Sequence, residues 1–449
     1  MESIIKKCIL VGFWSVCALT NARAEDFIIF SHGARAAGMA NAVVARAPDP
    51  STVWHNPAGI TQLEGFQIYA GGTLLQTGER KYYSIYRDRT LVADSLSRVL
   101  PEFYLSCPIT KRLRLGLGVN SPILYNIEWP QTSEVEHLVY TLRKMEIRSI
   151  AVTPVLAIKL GDNLSLGAGL NLNFSHFQGR YHYPYDSDVM VAMLTNGQVM
   201  DAPDALFDLR DFKTHGISYF AGLQWRFLPG FSFGATYRSG LPLTFDAGNV
   251  TGLQPETPNA YANAVLAELF PDSPVQSAVI AFSLVDQLQA GLAYRMGNLL
   301  EIEFDVSWIF WSQMDTLNID YSRETFFGSV WSGYSDIEAT LHFQDAMNWQ
   351  LGGEVILTPA IGLRFGAFGK GSPVQSPYLS PAFPLAANRG FSLGLGYQTN
   401  HLMIDMAYVF TSVSEISDSN GALIRWGDPS QKYLSRRDQC FMIHAGVKF

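Results

Sequence analysis

Apolar and polar side chains alternate along most of this chain, and a period of two predicts β-strands. The clearest example is the stretch 299–311, which reads LLEIEFDVSWIFW. One face of this strand is apolar and the other carries carboxylates: Leu300, Ile302, Phe304, Val306, Trp308 and Phe310 oppose Glu301, Glu303, Asp305 and Ser307. Burying these carboxylates in the core of a soluble sandwich would be very costly. Lipid on one side and a wet lumen on the other accommodate both faces, so the pattern predicts a transmembrane barrel.

The same alternation recurs, for example over residues 164–173, 402–410 and 441–449, and the connections alternate in length. The short connections contain Lys111-Arg112, Gly161-Asp162-Asn163, Pro229-Gly230, Gly297-Asn298, Thr358-Pro359 and Asn400-His401. The long ones lie near residues 78–98, 126–144, 181–211, 245–277, 318–338, 371–387 and 414–432. This predicts an all-β, antiparallel transmembrane barrel of about 14 strands, with short turns at the periplasmic rim and long loops outside the cell.

The N-terminus is typical of a secretory signal. Lys6 and Lys7 precede an apolar run, and Ala22-Arg23-Ala24 fits a cleavage site. We therefore expect residues 1–24 to be a signal peptide and the protein to reside in the bacterial outer membrane. The net charge of −8 argues against a nucleic-acid partner. Cys107 and Cys440 then remain; an oxidising compartment would allow a bond between them, but cysteines on barrel strands far apart in sequence are more often unpaired.

Residues 33–63 break the alternation. The stretch is rich in Ala, Gly and Pro, and Asn56-Pro57-Ala58-Gly59 is typical of a turn, since Pro fixes φ and both Asn and Gly tolerate positive φ. A compact segment of small residues ahead of many strands favours a plug, or hatch, formed by residues 25–62 inside a barrel of residues 63–449. A disordered leader is the alternative.

A proline interrupts the third predicted strand. Leu115 and Leu117 set an outward parity, which Asn120, Ser121 and Pro122 then break. Because proline has no amide hydrogen to donate to a β-ladder, we expect a bulge or inward kink here. Lipid cannot satisfy the freed backbone groups, so they should face the lumen or the hatch and leave a gap beside the neighbouring strand. The alternative is that Pro122 lies above the bilayer, where a bend has no role in transport.

An apolar stripe at helical spacing follows Thr257-Pro258 in the loop after the seventh strand, and it predicts a short helix. Together with the preceding long loop, this stripe would form an extracellular hydrophobic groove, comprising Val265, Leu266, Leu269 and Phe270 with Met190, Met193 and Leu194. Methionine suits a surface that accepts varied acyl chains. Simple packing of two loops against each other is the alternative.

Four stretches make the chain resemble the FadL/TodX family of outer-membrane transporters for long-chain fatty acids and other hydrophobic compounds. They are GARAAGM (33–39) with Asn56-Pro57-Ala58, GLGVNSP (116–122) with Glu128-Trp129, Tyr237-Arg238-Ser239, and residues 364–397 with SPV, ANR and SLGLGY. The resemblance implies a hatch inside the barrel, a kinked third strand that opens the wall towards lipid, and loops that catch the substrate first. Ala40-Asn41-Ala42 departs from the family, which usually has more Gly there.

Four basic residues face the lumen by strand parity: Arg238, Arg295, Arg364 and Lys370. Some must neutralise the luminal carboxylates, which is the simpler interpretation for any one of them. A surplus cation in an apolar pocket would hold a substrate carboxylate through charge-assisted hydrogen bonds. The candidates are Arg364, Lys370 and above all Arg238, which lies in the family-like Tyr-Arg-Ser.

Signals for catalysis are weak. Residues 390–394, GFSLG, match the G-x-S-x-G motif of hydrolases but lie inside an alternating strand, whereas a nucleophile elbow needs a strand, a sharp turn and a helix. The nine histidines show no metal-binding spacing. We therefore expect a passive transporter, monomeric and not an enzyme, without cofactor or metal. Its partners would be a hydrophobic small molecule and outer-membrane lipid. An outer-membrane lipid hydrolase and a structural or adhesive barrel are the alternatives.

Overall fold

The computed structural model describes residues 31–84, 88–130, 142–182, 206–253, 260, 263, 277–321, 337–375, 378–379, 382–417 and 431–449. The predicted signal peptide lies outside these ranges. So do all seven residues of the predicted extracellular groove, namely Met190, Met193, Leu194, Val265, Leu266, Leu269 and Phe270. Among the described residues, no helix has the length and apolar character needed to cross a membrane.

Fourteen antiparallel strands close into a barrel, which confirms the predicted fold class. They are β1 (Gln67–Gln76), β4 (Ser97–Pro108), β5 (Leu113–Asn120), β7 (Leu142–Lys159), β8 (Leu164–His182), β9 (Leu206–Leu228), β10 (Phe231–Arg238), β14 (Gln287–Met296), β15 (Leu300–Ile309), β18 (Ala346–Thr358), β19 (Ile361–Lys370), β20 (Asn388–Gln398), β21 (Leu402–Val413) and β24 (Arg436–Lys448). Neighbours in the wall follow chain order, and β24 pairs with β1 to close the ring.

The two faces of each strand have the environments that the alternation predicts. On β15, Phe304 is 46% exposed at the outer surface, whereas Glu303 and Asp305 are fully buried inside the barrel. The final strand likewise exposes Phe441 and Ile443 on the outside. Apolar side chains therefore form the outer surface of the wall, and the polar partners of each alternating pair line its interior.

All six predicted short connections join neighbouring barrel strands at one rim. The two ends of the barrel sequence, Phe66 before β1 and Phe449 after β24, also meet at this rim. The Phe66 amide donates to the Phe449 carbonyl at 3.2 Å, the Phe449 amide donates back to Phe66 at 2.9 Å, and the two rings lie 5.8 Å apart.

Ten shorter strands lie on the opposite, extracellular side, where the sequence predicted only loops. Two extend the wall: β6 (Leu124–Glu128) pairs with β7, and β12 (Ala247–Leu253) pairs with β9. The others form two four-stranded sheets, one of β2 (Arg80–Ser84), β3 (Arg89–Ala93), β22 (Ile416–Ser417) and β23 (Gln431–Tyr433), the other of β11 (Leu241–Phe245), β13 (Ala278–Leu284), β16 (Thr316–Tyr321) and β17 (Ile337–Thr340). They surround an apolar core that includes Tyr82, Tyr125 and Phe245.

The wall contains a window beside the third barrel strand. The ladder between β4 and β5 ends at the pair Phe103–Val119, and above it residues 97–102 of β4 pair only with β1 among the described residues. Asn120 pairs with Ala151 of β7, and regular pairing with β7 resumes where Leu124 lies opposite Arg148. The chain therefore advances four residues while β7 advances three, which is a β-bulge. The Asp94 amide donates to the Glu128 carbonyl at 2.9 Å and closes the window above.

Residues 31–66, which we call the N-terminal segment, lie inside the barrel. They contain helices α1 (Ala34–Ala37) and α2 (Thr52–His55) and a 3₁₀ helix (Pro57–Gln62); a second 3₁₀ helix (Trp311–Gln313) lies between β15 and β16. Most of the segment is buried, including its alanines 34, 36, 37, 40, 42, 45 and 58. Small side chains let the segment's backbone approach the polar inner wall closely, and this explains a composition unlike that of any strand.

Candidate functional site

The Asn56-Pro57-Ala58-Gly59 turn is fully buried against the wall near the short-turn rim. The Asn56 amide group donates to the carbonyls of Val44 (2.6 Å) and Leu223 (3.0 Å), and its oxygen accepts from the Ala58 amide at 3.1 Å. One side chain thus satisfies three backbone groups and caps the 3₁₀ helix, with Pro57 in its first position. The turn therefore joins two parts of the N-terminal segment to β9.

Two paired glycines make room for this turn. Gly167 on β8 and Gly222 on β9 lie directly opposite each other in the ladder. A β-carbon on Gly167 would overlap the backbone of Pro57, and one on Gly222 would overlap the Asn56 side-chain oxygen. The absence of side chains at this pair allows the turn to lie flat on the wall.

Carboxylates on β15 hold the N-terminal segment from the other side of the lumen. Asp305 accepts hydrogen bonds from the Val43 and Val44 amides at 3.0 and 3.2 Å, and Glu303 accepts from the Ala45 amide at 2.5 Å. Successive backbone amides facing a buried carboxylate form strong, charge-assisted bonds. The acidic face that predicted a barrel interior is therefore a binding surface for the barrel's own N-terminal segment.

Arg46 of the N-terminal segment is the cation at the centre of this contact. Its guanidinium pairs with Glu301, lies 3.6 Å from Glu303 and lies 3.5 Å from Glu354 on β18. Arg35 adds a further ion pair to Glu354 at 3.0 Å. These partners lie more than 250 residues apart in sequence, and no local pattern marks Arg35 or Arg46 as their counter-ions.

Arg364 belongs to the same ionic network rather than to the open lumen. It donates to Glu354 at 2.8 Å and to Asp405 at 2.6 Å, and its side chain is 3% exposed. Arg364 therefore neutralises carboxylates of the wall and is not a surplus cation for a substrate. Arg295 has a similar partner, because it pairs with Glu301 near the short-turn rim.

Arg238 and Lys370 instead line a cavity of about 150 Å³ above the N-terminal segment. The Arg238 guanidinium carbon lies 3.9 Å from the ring centre of Trp54 and 4.5 Å from that of Phe220, and it donates to the Trp54 carbonyl at 2.8 Å. Within the described residues, Arg238 has no carboxylate in ion-pair distance. The remaining lining combines apolar side chains with neutral polar ones, among the latter Asn171, Asn173, Ser218, Gln287, Gln289 and Gln350. One carboxylate, Asp438, also borders the cavity and forms an ion pair with Arg436 at 3.1 Å.

The cavity extends to the window, where Pro122 and Ile123 line it. The cavity is lined there by Leu100 of β4 and by Pro122 and Ile123, while an outer groove on the lipid side is also lined by Leu100 and Ile123. These two side chains therefore separate the lumen from the outside of the wall. The structure thus places Ser121 and Pro122 at the edge of an interruption in the wall, with Asn120 as the last paired residue below it.

A chain of hydrogen bonds that the sequence did not predict links the window to the N-terminal segment. Glu102, on β4 at the window, accepts from the Gly33 amide at 2.8 Å and from the Tyr104 hydroxyl at 3.0 Å. The Asn120 amide donates to the same hydroxyl at 3.4 Å, and His444 lies 3.4 Å from Glu102. The inward position of Glu102 could be read from the alternation, but not its partners.

Ser392 of the G-x-S-x-G match is buried in β20 and is bonded to the N-terminal segment. Its hydroxyl donates to the Gly38 carbonyl at 3.0 Å and accepts from the Ala40 amide at 2.8 Å. The motif therefore anchors the segment and does not form a strand–turn–helix elbow. Cys107 and Cys440 are both free thiols. Within the described residues, no cluster of three or more His, Cys, Asp or Glu side chains is arranged to hold a metal.

Two solved structures share this architecture. A FadL homologue from Pseudomonas aeruginosa superposes with a TM-score of 0.77 at 18% identity, covering 95% of this chain and all of that one. The toluene transporter TodX of Pseudomonas putida gives 0.69 at 15% identity, covering 95% and 100%. Identities this low establish the shared fold alone.

Sequence comparison identifies the family as well as the fold. A curated relative, the putative outer membrane protein NMB0088 of Neisseria meningitidis serogroup B, strain MC58, is 24% identical over 435 residues, or 92% of this chain and 91% of its own length. The family model described as outer membrane protein transport protein (OMPP1/FadL/TodX) matches residues 15–436, nearly the whole chain. The chain therefore belongs to the OMPP1/FadL/TodX family of outer-membrane transport proteins.

Proposed function

We propose that this protein is a gated passive channel for the uptake of long-chain fatty acids or related hydrophobic acids. Substrate would enter from the extracellular side, occupy the cavity above the N-terminal segment, and leave sideways through the window. Residues 25–62 would act as the hatch that closes the barrel to the periplasm. Since the chain contains no phosphate-binding loop for ATP, transport would run down a concentration gradient.

The observation that carries the proposal is the placement of Arg238. Its charge is stacked between Trp54 and Phe220 and has no carboxylate partner among the described residues, although it borders the cavity. Wall cations outside the cavity, such as Arg364, are already neutralised. A substrate carboxylate in the cavity would supply the missing anion, with its apolar tail against the rings. Lys370 borders the same cavity, and its ammonium group lies 5.7 Å from the ring centre of Phe368.

The height of the window supports a lateral exit. Asn120 pairs with Ala151 and Leu124 with Arg148, so Pro122 lies near the level of Ile150 on β7. Ile150 is 54% exposed and Val99, beside the window on β4, is 70% exposed, both on the outer surface. Apolar side chains exposed at this level belong to the lipid-facing band, which argues against a bend wholly above the bilayer.

The size of the cavity supports a gate. A volume of about 150 Å³ is below the range of about 300–1,000 Å³ typical of ligand pockets. A long acyl chain would therefore need Leu100 and Ile123 to separate, or the N-terminal segment to shift. Both movements would lengthen the cavity towards an exit.

Replacing Arg238 tests the proposed substrate class. Wild-type protein should bind a long-chain fatty acid more tightly than the alcohol of the same length, because only the acid offers a carboxylate. Arg238→Ala should weaken acid binding by about 1.5–3 kcal/mol, or roughly ten- to hundredfold, and leave alcohol binding nearly unchanged. Calorimetric titration of purified protein measures the affinities for the acid and for the alcohol.

Arg364→Ala is a poor control here, because it disturbs the ionic network. Arg437→Ala is the matched control, since it removes an exposed charge on the outward face of β24 that does not line the cavity. If Arg238→Ala leaves the affinity for the acid unchanged, the assignment of Arg238 is wrong. If wild-type protein does not distinguish the acid from the alcohol, the substrate is a neutral hydrophobic compound instead.

A further inference from the structure

The outer surface beside the window carries a row of basic side chains. Arg148 on β7 lies directly opposite His176 on β8, and His176 lies directly opposite Lys213 on β9. All three are on the outward face, as their alternation with buried Ser149, Ser175 and Phe212 shows. Three adjacent basic positions on the lipid-facing side of a barrel are costly unless they lie at the headgroup level, where water or an anion can reach them.

The row lies just above the apolar band. One outward position closer to the periplasm, β7 and β8 carry the apolar residues Ile150 and Phe174. On β9 this position is a further basic residue, His215, and the next outward position is Ile217, which is 63% exposed. Below Phe174, the outward positions of β8 remain apolar down to Leu164, and a strand of about 9–11 residues is what crosses the bilayer core. The basic row therefore coincides with the headgroups of the outer leaflet.

A groove of about 690 Å³ runs along this row to the window. Its walls combine the basic residues with exposed apolar surface, including Phe174, which is 57% exposed, and Ile150. Arg98 lines it from β4 on the other side of the window. Cations and apolar surface in one groove match a ligand with an anionic head and attached acyl chains.

The charges in the groove are largely uncompensated. Within the described part of the chain, none of Arg98, Arg148 and Lys213 has a carboxylate in ion-pair distance. Two carboxylates border the row: Asp211 lies 3.8 Å from His176, and Glu146 accepts a hydrogen bond from Gln178. Neither engages Arg148 or Lys213, so both of these cations are available to a ligand.

We propose that this groove binds a phosphorylated, multiply acylated lipid of the outer leaflet. Arg148 and Lys213 would hold the phosphate, Arg98 would approach it from across the window, and the acyl chains would lie against Phe174 and Ile150. Phosphate is the anion that membrane lipids present at this level, and arginine and lysine bind it through charge-assisted hydrogen bonds. A lipid so held would cover the outer side of Leu100 and Ile123, the two residues that separate the lumen from the lipid.

Lipid binding by the purified full-length protein in detergent tests the proposal. The probes are a bisphosphorylated hexaacyl glycolipid, its dephosphorylated counterpart and inorganic phosphate, and native mass spectrometry measures the bound fraction. Wild-type protein should prefer the phosphorylated lipid at least about tenfold, and the double variant Arg148→Ala, Lys213→Ala should lose that preference. Binding of the phosphorylated lipid should also weaken as salt concentration rises.

A matched double variant is Arg389→Ala, Arg437→Ala. These two exposed arginines flank Ser412 on the outer surface of β20 and β24, across the barrel from the groove. This control should bind the phosphorylated lipid as wild type does. The heat-modifiable gel mobility of a folded barrel verifies that each variant is intact.

Four outcomes would overturn the proposal. They are equal binding of the two lipids by wild type, an equal loss of binding in the control variant, no effect of salt, and full displacement of the lipid by millimolar inorganic phosphate. The last would make the row a site for free anions. None of these results bears on Arg238, so this test and the test of the proposed function can fail independently.

Discussion

Individual charged residues hold the N-terminal segment in the barrel, and Arg46 is the most connected of them. Without Arg46, Glu301 would keep Arg295, and Glu354 would keep Arg35 and Arg364. Within the described residues, Glu303 has Arg46 as its one ion-pair partner and would be left buried without a cation. Removing one partner of a buried pair typically costs about 3–5 kcal/mol, because the remaining charge is uncompensated. Arg35 still contacts Glu354, so the loss would be concentrated at β15.

Arg46→Met should therefore loosen the N-terminal segment while the strands remain paired. We expect amide hydrogen exchange in residues 31–66 to rise by at least tenfold, with little change in β18 to β21. Arg437→Met, at an exposed position on β24, is the control. Unchanged protection of Val43, Val44 and Ala45 in the Arg46 variant would show that the backbone bonds to Asp305 and Glu303 suffice.

At this scale the sequence predicts which face a residue occupies but not its partner. Parity places both Arg238 and Arg364 inside the barrel, yet one borders the cavity and the other lies between Glu354 and Asp405. The difference is their height relative to the N-terminal segment. That height depends on contacts between residues hundreds of positions apart, and a period of two contains no information about them.

Among the elements, the third barrel strand differs most from its neighbours. Pro122 lies two residues after Asn120, the last residue of β5. The bulge before β6 separates the chain from β4, whereas β5 and β6 both pair with β7. Pro154, in the middle of β7, shows that proline alone does not open the wall. The ladder with β5 runs through Pro154, and the ladder with β8 omits only Thr153 and Pro154 and resumes in the same register at Val155. The turn-prone Asn120-Ser121 before Pro122 supplies the rest of the interruption.

Replacing Asn120-Ser121-Pro122 with an alternating strand sequence should close the window and abolish uptake of a long-chain fatty acid by cells. The reason is that a continuous ladder with residues 97–102 of β4 would remove the proposed exit. Pro154→Val is the matched control, because it changes a strand proline where no window exists. Normal uptake by the replacement variant, inserted at wild-type levels, would rule out a lateral exit at this position.

Strands and turns were predictable because each reflects a local rule. The alternation predicted the faces of β15 and β21, and Gly, Pro or Asn residues mark five of the six short turns, the exception being Lys111-Arg112. The eight strands of the two extracellular sheets were not predictable in this way. Short strands such as β2 and β23 pair across most of the chain, and their apolar residues occur among polar ones without a sustained period.

For the molecule as a whole, the N-terminal segment lies inside the barrel and is bonded to strands on all its sides. It contacts β4, β8, β9, β15, β18, β20 and β24, which are distributed around the entire wall. We therefore expect deletion of residues 25–60 to leave a barrel through which small hydrophilic solutes leak.

Swelling of liposomes in solutions of small sugars measures this leakage. The deletion variant should admit the sugars several times faster than wild type, because the lumen is lined by polar side chains. Arg238→Ala leaves the N-terminal segment in place, so liposomes with this variant should admit the sugars at the wild-type rate. Equal swelling by the deletion variant and wild type would mean that the extracellular sheets alone seal the barrel.

The meeting of Phe66 and Phe449 has a consequence for the order of assembly. Thirteen of the fourteen pairings in the wall join barrel strands that are consecutive along the chain, so the wall can grow by adding one strand at a time. The pairing of β1 with β24 instead brings together the two ends of the barrel sequence, the largest sequence separation of any pairing in the wall. We therefore expect it to form last on topological grounds. Because the N-terminal segment is attached directly to β1, we expect its seating against β24 to accompany the closure of this seam.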